Sequence, residues 1–584
     1  MRLSLPLAIV LLALTAASAP AAVVYETYRV PTVDGAEIQV EVMRDDAFKR
    51  GPVLLTYSPY NTLNESRSGN IANDAHAKRL VPRGYVRAVA DVLGTRNSSG
   101  CWDYGGPKET QSGVDLVKFL AGQEWSNGRV GMIGVSYDGT TANMVASQGP
   151  QVPELKAIVP IAAISRWYGY AYGNGVRYFL NSEVPNDEGF DTPLAFDFGL
   201  ARTPPTDHED EKAGEKLMSR ANRCDSVEHT THGYDQSPDY DEFWNQRDYR
   251  RLASSFRAAT LVAHGWQDYN VKQEEGVELF EALQTATAAK GKGRGKGRKG
   301  SPGVPLKRLW LTQGAHGAPS GADWTSFLDR FLDRYLLGKG NGIEGTPLVK
   351  TEGRTVDDLG FYESTGYRSE RQWPPARSRE TRLYLRRTFD QDVPGVTLPN
   401  PSTGETGVLS SSPNREPVDN IFTWIGAPTS EETANRDPLN EPGHGYYSLF
   451  FGTGELERDV RILGAPVLDA HVKTMKGAHL SPVLVDVGPD GLMTTIARGF
   501  LNVDYREGLE QAKPVEGQWV RARVQFLPQD VTVAAGHRIG LLVQSSNTVW
   551  ALPGTPGPNN ITTGPVEGLP GTGSSLVLPT APAS

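Results

Sequence analysis

Ser136 stands in Gly134-Val135-Ser136-Tyr137-Asp138-Gly139, directly after the apolar run Val130-Gly131-Met132-Ile133. The order is a buried strand, a small-residue turn, then a helix from Thr140 onward. That setting lifts a serine hydroxyl above a sheet for nucleophilic attack. Glycine at 134 and 139 suits a strained turn, where side chains would strike the neighbouring strand and helix. A serine hydroxyl attacks well only when a base takes its proton. Histidine does this near neutrality, and a carboxylate then fixes its tautomer and stabilises the imidazolium. Two later segments offer these partners in the order Ser, Asp, His. Leu261-Val262-Ala263-His264-Gly265-Trp266-Gln267-Asp268 places Asp268 past a predicted strand, and Leu309-Trp310-Leu311-Thr312-Gln313-Gly314-Ala315-His316 does the same for His316. His264 precedes the carboxylate and reads as a packing or loop residue. The oxyanion of a tetrahedral intermediate needs two donors. The backbone N–H of Tyr137, just after the nucleophile, is one. The hydroxyl of Tyr60, in Thr56-Tyr57-Ser58-Pro59-Tyr60-Asn61 after an early strand, is the candidate for the other.

The elements that must position these groups are legible as alternation. Up to about residue 340, short β-rich runs (Val53 to Tyr57, Val86 to Ala90, Val130 to Val135, Ala157 to Ile161, Leu261 to Ala263, Leu309 to Leu311) alternate with helical patterns. That predicts a mostly parallel sheet with helices on both faces. The clearest helix puts Trp324, Phe327, Leu328, Phe331, Leu332 and Tyr335 on one stripe and stops at the glycines from Gly338. Residues 166–254 lack long apolar runs and read as a cap inserted over the carboxyl edge of the sheet, where such folds keep their sites. From 346 onward the helical stripes vanish. Alternating segments such as Val520 to Phe526 and Arg538 to Val543, parted by Gly, Pro and Asn turns, predict an all-β sandwich. The expected organisation is a leader over 1–22, an α/β domain over 23–345 and a β-sandwich over 346–584.

Length and charge set further bounds. A chain of 584 residues is too long for one core. Its net charge of −9 argues against a nucleic-acid partner. Arg2, the apolar stretch Leu3 to Ala17 and the small residues Ala19-Pro20-Ala21-Ala22 read as a secretion signal, which predicts export as a soluble protein with no membrane span. Cys101 and Cys224 are the only cysteines. A disulfide between them and two buried thiols are both open. His229 and His232 fall in a polar stretch without metal-site spacing, so neither metal nor other cofactor is expected. The basic, glycine-rich run 290–299 reads as a solvated loop at the amino end of the following strand, away from the catalytic edge.

These residues resemble the X-prolyl dipeptidyl-peptidase and cocaine-esterase-like serine hydrolases. The matching pieces are Ser58-Pro59-Tyr60, Gly94 to Asp103, Gly134-Val135-Ser136-Tyr137, Trp167-Tyr168, His264-Gly265-Trp266 with Asp268-Tyr269-Asn270-Val271-Lys272, and Arg498-Gly499-Phe500-Leu501-Asn502. The resemblance implies an α/β-hydrolase domain with a helical cap and a C-terminal jelly roll. It maps a triad onto Ser136, Asp268 and His316, and an oxyanion hole onto Tyr60 and the Tyr137 amide. Asn270-Val271-Lys272 after the acid is closer to the peptidase branch, which releases Xaa-Pro dipeptides from a free N-terminus. A proline ring wants an aromatic, apolar slot, for which Trp167, Tyr168, Tyr170 and Val271 are candidates beside Asn270. The substrate ammonium wants a carboxylate, and among Glu183, Asp187 and Glu188 the choice falls on Glu183. The chain departs from the pattern at Gly169, where peptidase relatives often carry an acid. An ester or acyl-amide substrate for the same triad is the alternative.

Overall fold

The computed structural model describes residues 22–60, 71–95, 97–178, 237–292, 306–387, 407–413, 421–426 and 448–582. Residues 1–21 of the leader expected over 1–22, most of the cap with Glu183, Asp187, Glu188, Cys224, His229 and His232, and residues 293–299 of the basic run lie outside them.

The catalytic half is built on a twisted sheet. Its strands are β1 (Val23–Pro31), β2 (Glu37–Asp45), β3 (Gly51–Ser58), β4 (Val86–Asp91), β5 (Ser126–Val135), β6 (Leu155–Ile161), β7 (Ala259–Gly265), β8 (Lys307–Thr312) and β9 (Val349–Val356). The spatial order is β1-β2-β4-β3-β5-β6-β7-β8-β9, antiparallel at the β1–β2 and β2–β4 pairs and parallel from β4 onward. Side-chain alternation sorts these strands onto two cores. Val53, Leu55, Val130, Met132 and Val262 join one core with helices α1 (Pro107–Ala121), α2 (Tyr137–Ala146) and α4 (Glu274–Lys292). Leu54, Ile133, Leu261 and Trp310 join the other with α5 (Ala322–Leu332). The stripe predicted for α5 is buried at Trp324, Leu328, Phe331 and Leu332; a π-helical turn over Asp333–Leu337 continues it, and Gly338 closes that turn in the left-handed region at φ 76°. Between β6 and β7 the described cap contributes the short helix α3 (Trp167–Ala171).

The C-terminal half is an antiparallel sandwich. One ladder joins Trp519–Gln525, Val467–Lys473, Ser575–Ala581 and Arg379–Arg387. Another joins Ser448–Gly452, Arg538–Gln544, Val483–Val487 and Met493–Arg498. Val520, Ala522 and Val524 point into the sandwich core while the residues between them reach solvent, the period of two that the sequence showed.

The central sheet does not stop at the expected boundary of 345/346. Strand β9 pairs with β8 through Leu309↔Val349, then with β10 (Gln529–Val533) of the sandwich through Arg354↔Val531. A single strand can do this because its two ends offer ladder bonds to different neighbours. Cys101 is disulfide-bonded. Among the described residues no helix is long and apolar enough to cross a membrane.

Candidate active site

Strands β3 to β8 run parallel, apart from the interruptions by helices, so the loops that follow them share one edge of the sheet. Tyr60 follows β3, Ser136 follows β5, Asp268 follows β7 and His316 follows β8. Ser136 has φ 61° and ψ −128°, a backbone conformation that costs a non-glycine residue about 1–3 kcal/mol. The flanking glycines make room for it. A Cβ at Gly139 would lie 2.7 Å from the Gly134 carbonyl oxygen and 2.8 Å from Ala163 Cβ, and one at Gly134 would fall on Asp138 Cβ.

Two donors meet at this serine. The Tyr60 hydroxyl donates to Ser136 Oγ at 3.1 Å and accepts the Tyr137 N–H at 3.2 Å. Burial, reinforced by the nearby Asp138 carboxyl, pushes the Tyr60 hydroxyl up to about 12, so it stays a neutral donor at physiological pH. Burial also raises Asp138 to about 7. The Tyr137 side chain points away from the serine. Its hydroxyl donates to Glu109 at 2.9 Å and accepts from the Trp102 indole N–H at 2.9 Å. Burial raises Glu109 to about 8.

His316 Nδ1 donates to Asp268 Oδ2 at 2.8 Å. The Asp268 side chain is fully buried, and its other oxygen accepts the backbone N–H groups of Asn270 and Val271 at 3.0 Å each. Burial works to raise this carboxyl, but hydrogen bonds from His264 and His316 outweigh it and hold it below its ordinary value. The His316 ring is 19% exposed. Among the described residues no hydrogen bond joins it to Ser136 Oγ, which accepts from Tyr60 instead. Catalytic hydrogen bonds commonly tighten only around substrate.

His264 is more than a packing residue. It is fully buried under the acid, donates Nε2–H to the Val271 carbonyl at 2.8 Å, and keeps the same nitrogen 3.3 Å from Asp268 Oδ2. Its Nδ1 has no hydrogen-bond partner. Two imidazoles therefore face one carboxylate.

Of the aromatic candidates, Trp167 and Tyr170 share one face of α3, their rings 5.8 Å apart. Trp167 packs against Tyr137 at 5.3 Å and donates its indole N–H to Tyr249. Tyr170 donates to Asn270 Oδ1 at 3.0 Å, which ties the cap to the acid loop. Tyr168 lies in a different cluster, stacked on Tyr172 and edge-on to Tyr240 and Trp244, with its hydroxyl on the Pro238 carbonyl. Val271 is wholly buried and gives the loop its backbone amide and carbonyl. Glu183 lies outside the described residues.

Sequence reasoning missed the polar groups underneath. Glu275 is buried and accepts from Ser165 N–H, Ser165 Oγ and Arg166 N–H at 2.7–2.8 Å, pinning the chain where β6 enters the cap. Its second oxygen has no hydrogen-bond partner, and a side chain on Gly169 would collide with it. Lys272 is fully buried, donates to the Tyr269 and Asn270 carbonyls, and lies over the Tyr178 and Trp550 rings. Burial pulls its ammonium down to about 8. Lys272 was visible only as the last residue of the motif after the acid; the burial of both side chains leaves no local mark, because long-range packing produces it.

The strand order, the strained serine after β5 and the carboxylate–imidazole pair past β7 and β8 define an α/β hydrolase of the serine type. The model described as X-Pro dipeptidyl-peptidase (S15 family) matches residues 34–318, and that of the X-Pro dipeptidyl-peptidase C-terminal non-catalytic domain matches 341–566. The chain belongs to this family of serine hydrolases, the one that also takes in cocaine-esterase-like members. It is 28% identical over 548 residues to a Bacillus anthracis protein assigned by name as a Xaa-Pro dipeptidyl-peptidase, covering 87% of this chain and 80% of that one. It is 25% identical over 553 residues to cocaine esterase of a Rhodococcus species, covering 89% and 90%. A CocE/NonD family hydrolase from Staphylococcus aureus shares its fold at a TM-score of 0.70 and 17% identity, over 96% of this chain and 94% of that one.

Proposed function

We propose that this protein is an exported serine exopeptidase that releases Xaa-Pro dipeptides from peptide N-termini through an acyl-enzyme. Ser136 Oγ attacks the carbonyl carbon of the penultimate proline while its proton passes to His316. Asp268 holds the His316 tautomer and balances the imidazolium. The oxyanion takes the place between the Tyr60 hydroxyl and the Tyr137 amide, which now bond each other. Collapse breaks the C–N bond, His316 protonates the leaving amine, and water then attacks the acyl-enzyme by the same relay. Trp167 and Tyr170 flank the proline ring, and a cap acid, Glu183 in this reading, meets the ammonium. Export rests on the charged, apolar and small-residue order at the N-terminus.

The observation that carries the proposal is the meeting of the Tyr60 hydroxyl and the Tyr137 amide at the strained Ser136, on the edge that also holds the Asp268–His316 pair. The test compares Ala-Pro anilide with its N-acetylated form. The free amine is expected to react at least tenfold faster, as differential recognition of one charge allows. Equal rates sink the ammonium role. The second reading, a carboxylesterase or acyl-amide hydrolase, is favoured by the near full-length match to cocaine esterase and by Gly169, where Glu275 leaves no space for a substrate-binding acid. Fast aryl-ester turnover with none on Xaa-Pro anilides selects it.

A further inference from the structure

The two loops that carry Asp268 and His316 are tied to the sandwich by a chain of carboxamides, one buried and two half-buried. Gln529, 2% exposed on β10, donates its side-chain N–H to the Trp266 carbonyl at 3.1 Å and accepts from Gln267 Nε2 at 3.2 Å. Gln267, the residue before the acid, also donates to Gln313 Oε1 at 3.1 Å. Gln313, three residues before His316, passes its own N–H groups to the Glu352 carbonyl at 2.8 Å and the Asp530 carbonyl at 3.2 Å. Each amide has one orientation that satisfies all of these bonds at once.

The anchor at the sandwich end is rigid. Asp530 is fully buried in a two-bond ion pair with Arg461, 2.8 Å on each side, and accepts from Thr351 Oγ1 at 2.9 Å. Thr351 in turn accepts the Trp266 indole N–H. On the far side of the acid loop, Gln273 donates to the Pro528 carbonyl at 3.1 Å. The acid loop is thus held at 266, 267 and 273, and the base loop at 313, by three consecutive residues, 528 to 530, of the other domain.

We propose that Gln529 is a positioning residue for the triad, so that the sandwich sets the register between the acid and base loops and is a working part of the hydrolase. This rests on the assignment of Asp268 and His316 given above. A bare structural bond would hold two domains together at any surface. Here the bonds converge on the residues flanking the acid and the base, and a Trp266 carbonyl and Gln267 amide that lose Gln529 would let the acid loop settle against the base loop in a new place.

Gln529→Met keeps the volume and removes both bonds. On Ala-Pro anilide or an aryl ester, whichever the wild type turns over, kcat is expected to fall on the order of 10- to 100-fold with KM within about threefold. Labelling of Ser136 by a fluorophosphonate should slow in step. The acid limb of the kcat/KM profile should move to lower pH, because a carboxylate that sits less well stabilises the imidazolium less. Gln267→Met should give the same set of changes from the other side, and the double variant should be no worse than either single one. Val485→Ala, in a separate apolar cluster of the sandwich, supplies the control: melting temperature lost, kcat and acid limb kept. Gln529→Met with unchanged kcat and acid limb, and only the thermal loss of the control, overturns the proposal. Should Gln529→Met fail to fold, Gln267→Met carries the same decision. Wild-type labelling that persists in Ser136→Ala instead removes the triad assignment itself, whatever residue 529 does.

Discussion

Two aspartate–histidine pairs in this molecule have nearly the same local geometry. Asp268 Oδ2 and His316 Nδ1 are 2.8 Å apart, as are Asp486 Oδ1 and His537 Nδ1 in the sandwich, and both carboxylates are fully buried. Their surroundings differ. The second oxygen of Asp268 takes two backbone N–H groups, and His264 adds a further donor. The second oxygen of Asp486 has no hydrogen-bond partner. Burial raises Asp486 to about 6, whereas Asp268 is held low. The far nitrogen of His537 lies 3.2 Å from the Asp358 carboxylate, so both of its ring nitrogens face carboxylates. Hydrogen bonds to the two carboxylates outweigh burial and hold His537 above its ordinary value. A far nitrogen already engaged by a carboxylate is not open to a hydroxyl's proton, and that of a base must be. A short Asp–His contact is therefore no sign of catalysis on its own. The carboxylate must be ionised by its own cradle, and the far imidazole nitrogen must be left for a hydroxyl.

The sharpest way to break this comparison is to remove each histidine in turn. His316→Ala should lower kcat/KM on the order of 10⁴- to 10⁶-fold, while His537→Ala should stay within about twofold. Steady-state kinetics on the same substrate decide it, and a comparable loss in both would erase the distinction. Asp268→Asn should cost about 10⁴-fold by permitting the wrong imidazole tautomer, and Asp486→Asn should leave kcat intact. Tyr60→Phe should cost on the order of 10²- to 10³-fold in kcat with little change in KM, as the loss of one oxyanion donor does; a KM effect alone would place Tyr60 in ground-state binding.

The smallest effect lies in the pH dependence of stability. A carboxyl raised in the folded state stabilises below its unfolded value near 3.8, and that contribution fades as pH climbs through the raised value of about 6. The raised His537 adds a contribution that is complete below its ordinary value and is lost as pH rises past the folded one. Both run the same way. The melting temperature of the wild type relative to Asp486→Asn should therefore fall by roughly 2–4 °C between about pH 4 and 7. Asp268 has the opposite sign: its depressed value stabilises above 3.8, and the benefit disappears as pH drops through it. A wild-type advantage over Asp486→Asn that grows with pH would reverse the reading of the sandwich pair.

The layout of the candidate site was legible because each key residue ends a strong local signal. Ser136, Asp268 and His316 each follow an apolar β run, and the parallel order of such runs puts their loops on one edge. Tyr60 was marked the same way. The helical stripe of α5 and the alternation of Trp519–Gln525 were equally plain. What stayed hidden was polar and buried. Glu109, Glu275, Lys272 and Gln529 are residue types that usually face water, and only distant neighbours bury them. His264 was visible but assigned to packing, since its contact with Asp268 depends on how the loop past β7 folds back. Gly169 was noted as a departure; its cause, the Glu275 oxygen beneath it, comes from 106 residues away in the chain and leaves no local trace.

Strand β9 has a consequence for how the chain comes apart. Its first half completes the edge beside the strand that leads to His316, and its second half is zipped to the sandwich. Neither half of the molecule can melt without stripping ladder bonds from the other, so heat or denaturant should unfold the whole chain in one cooperative step, and a fragment ending before this strand would expose a raw edge open to aggregation.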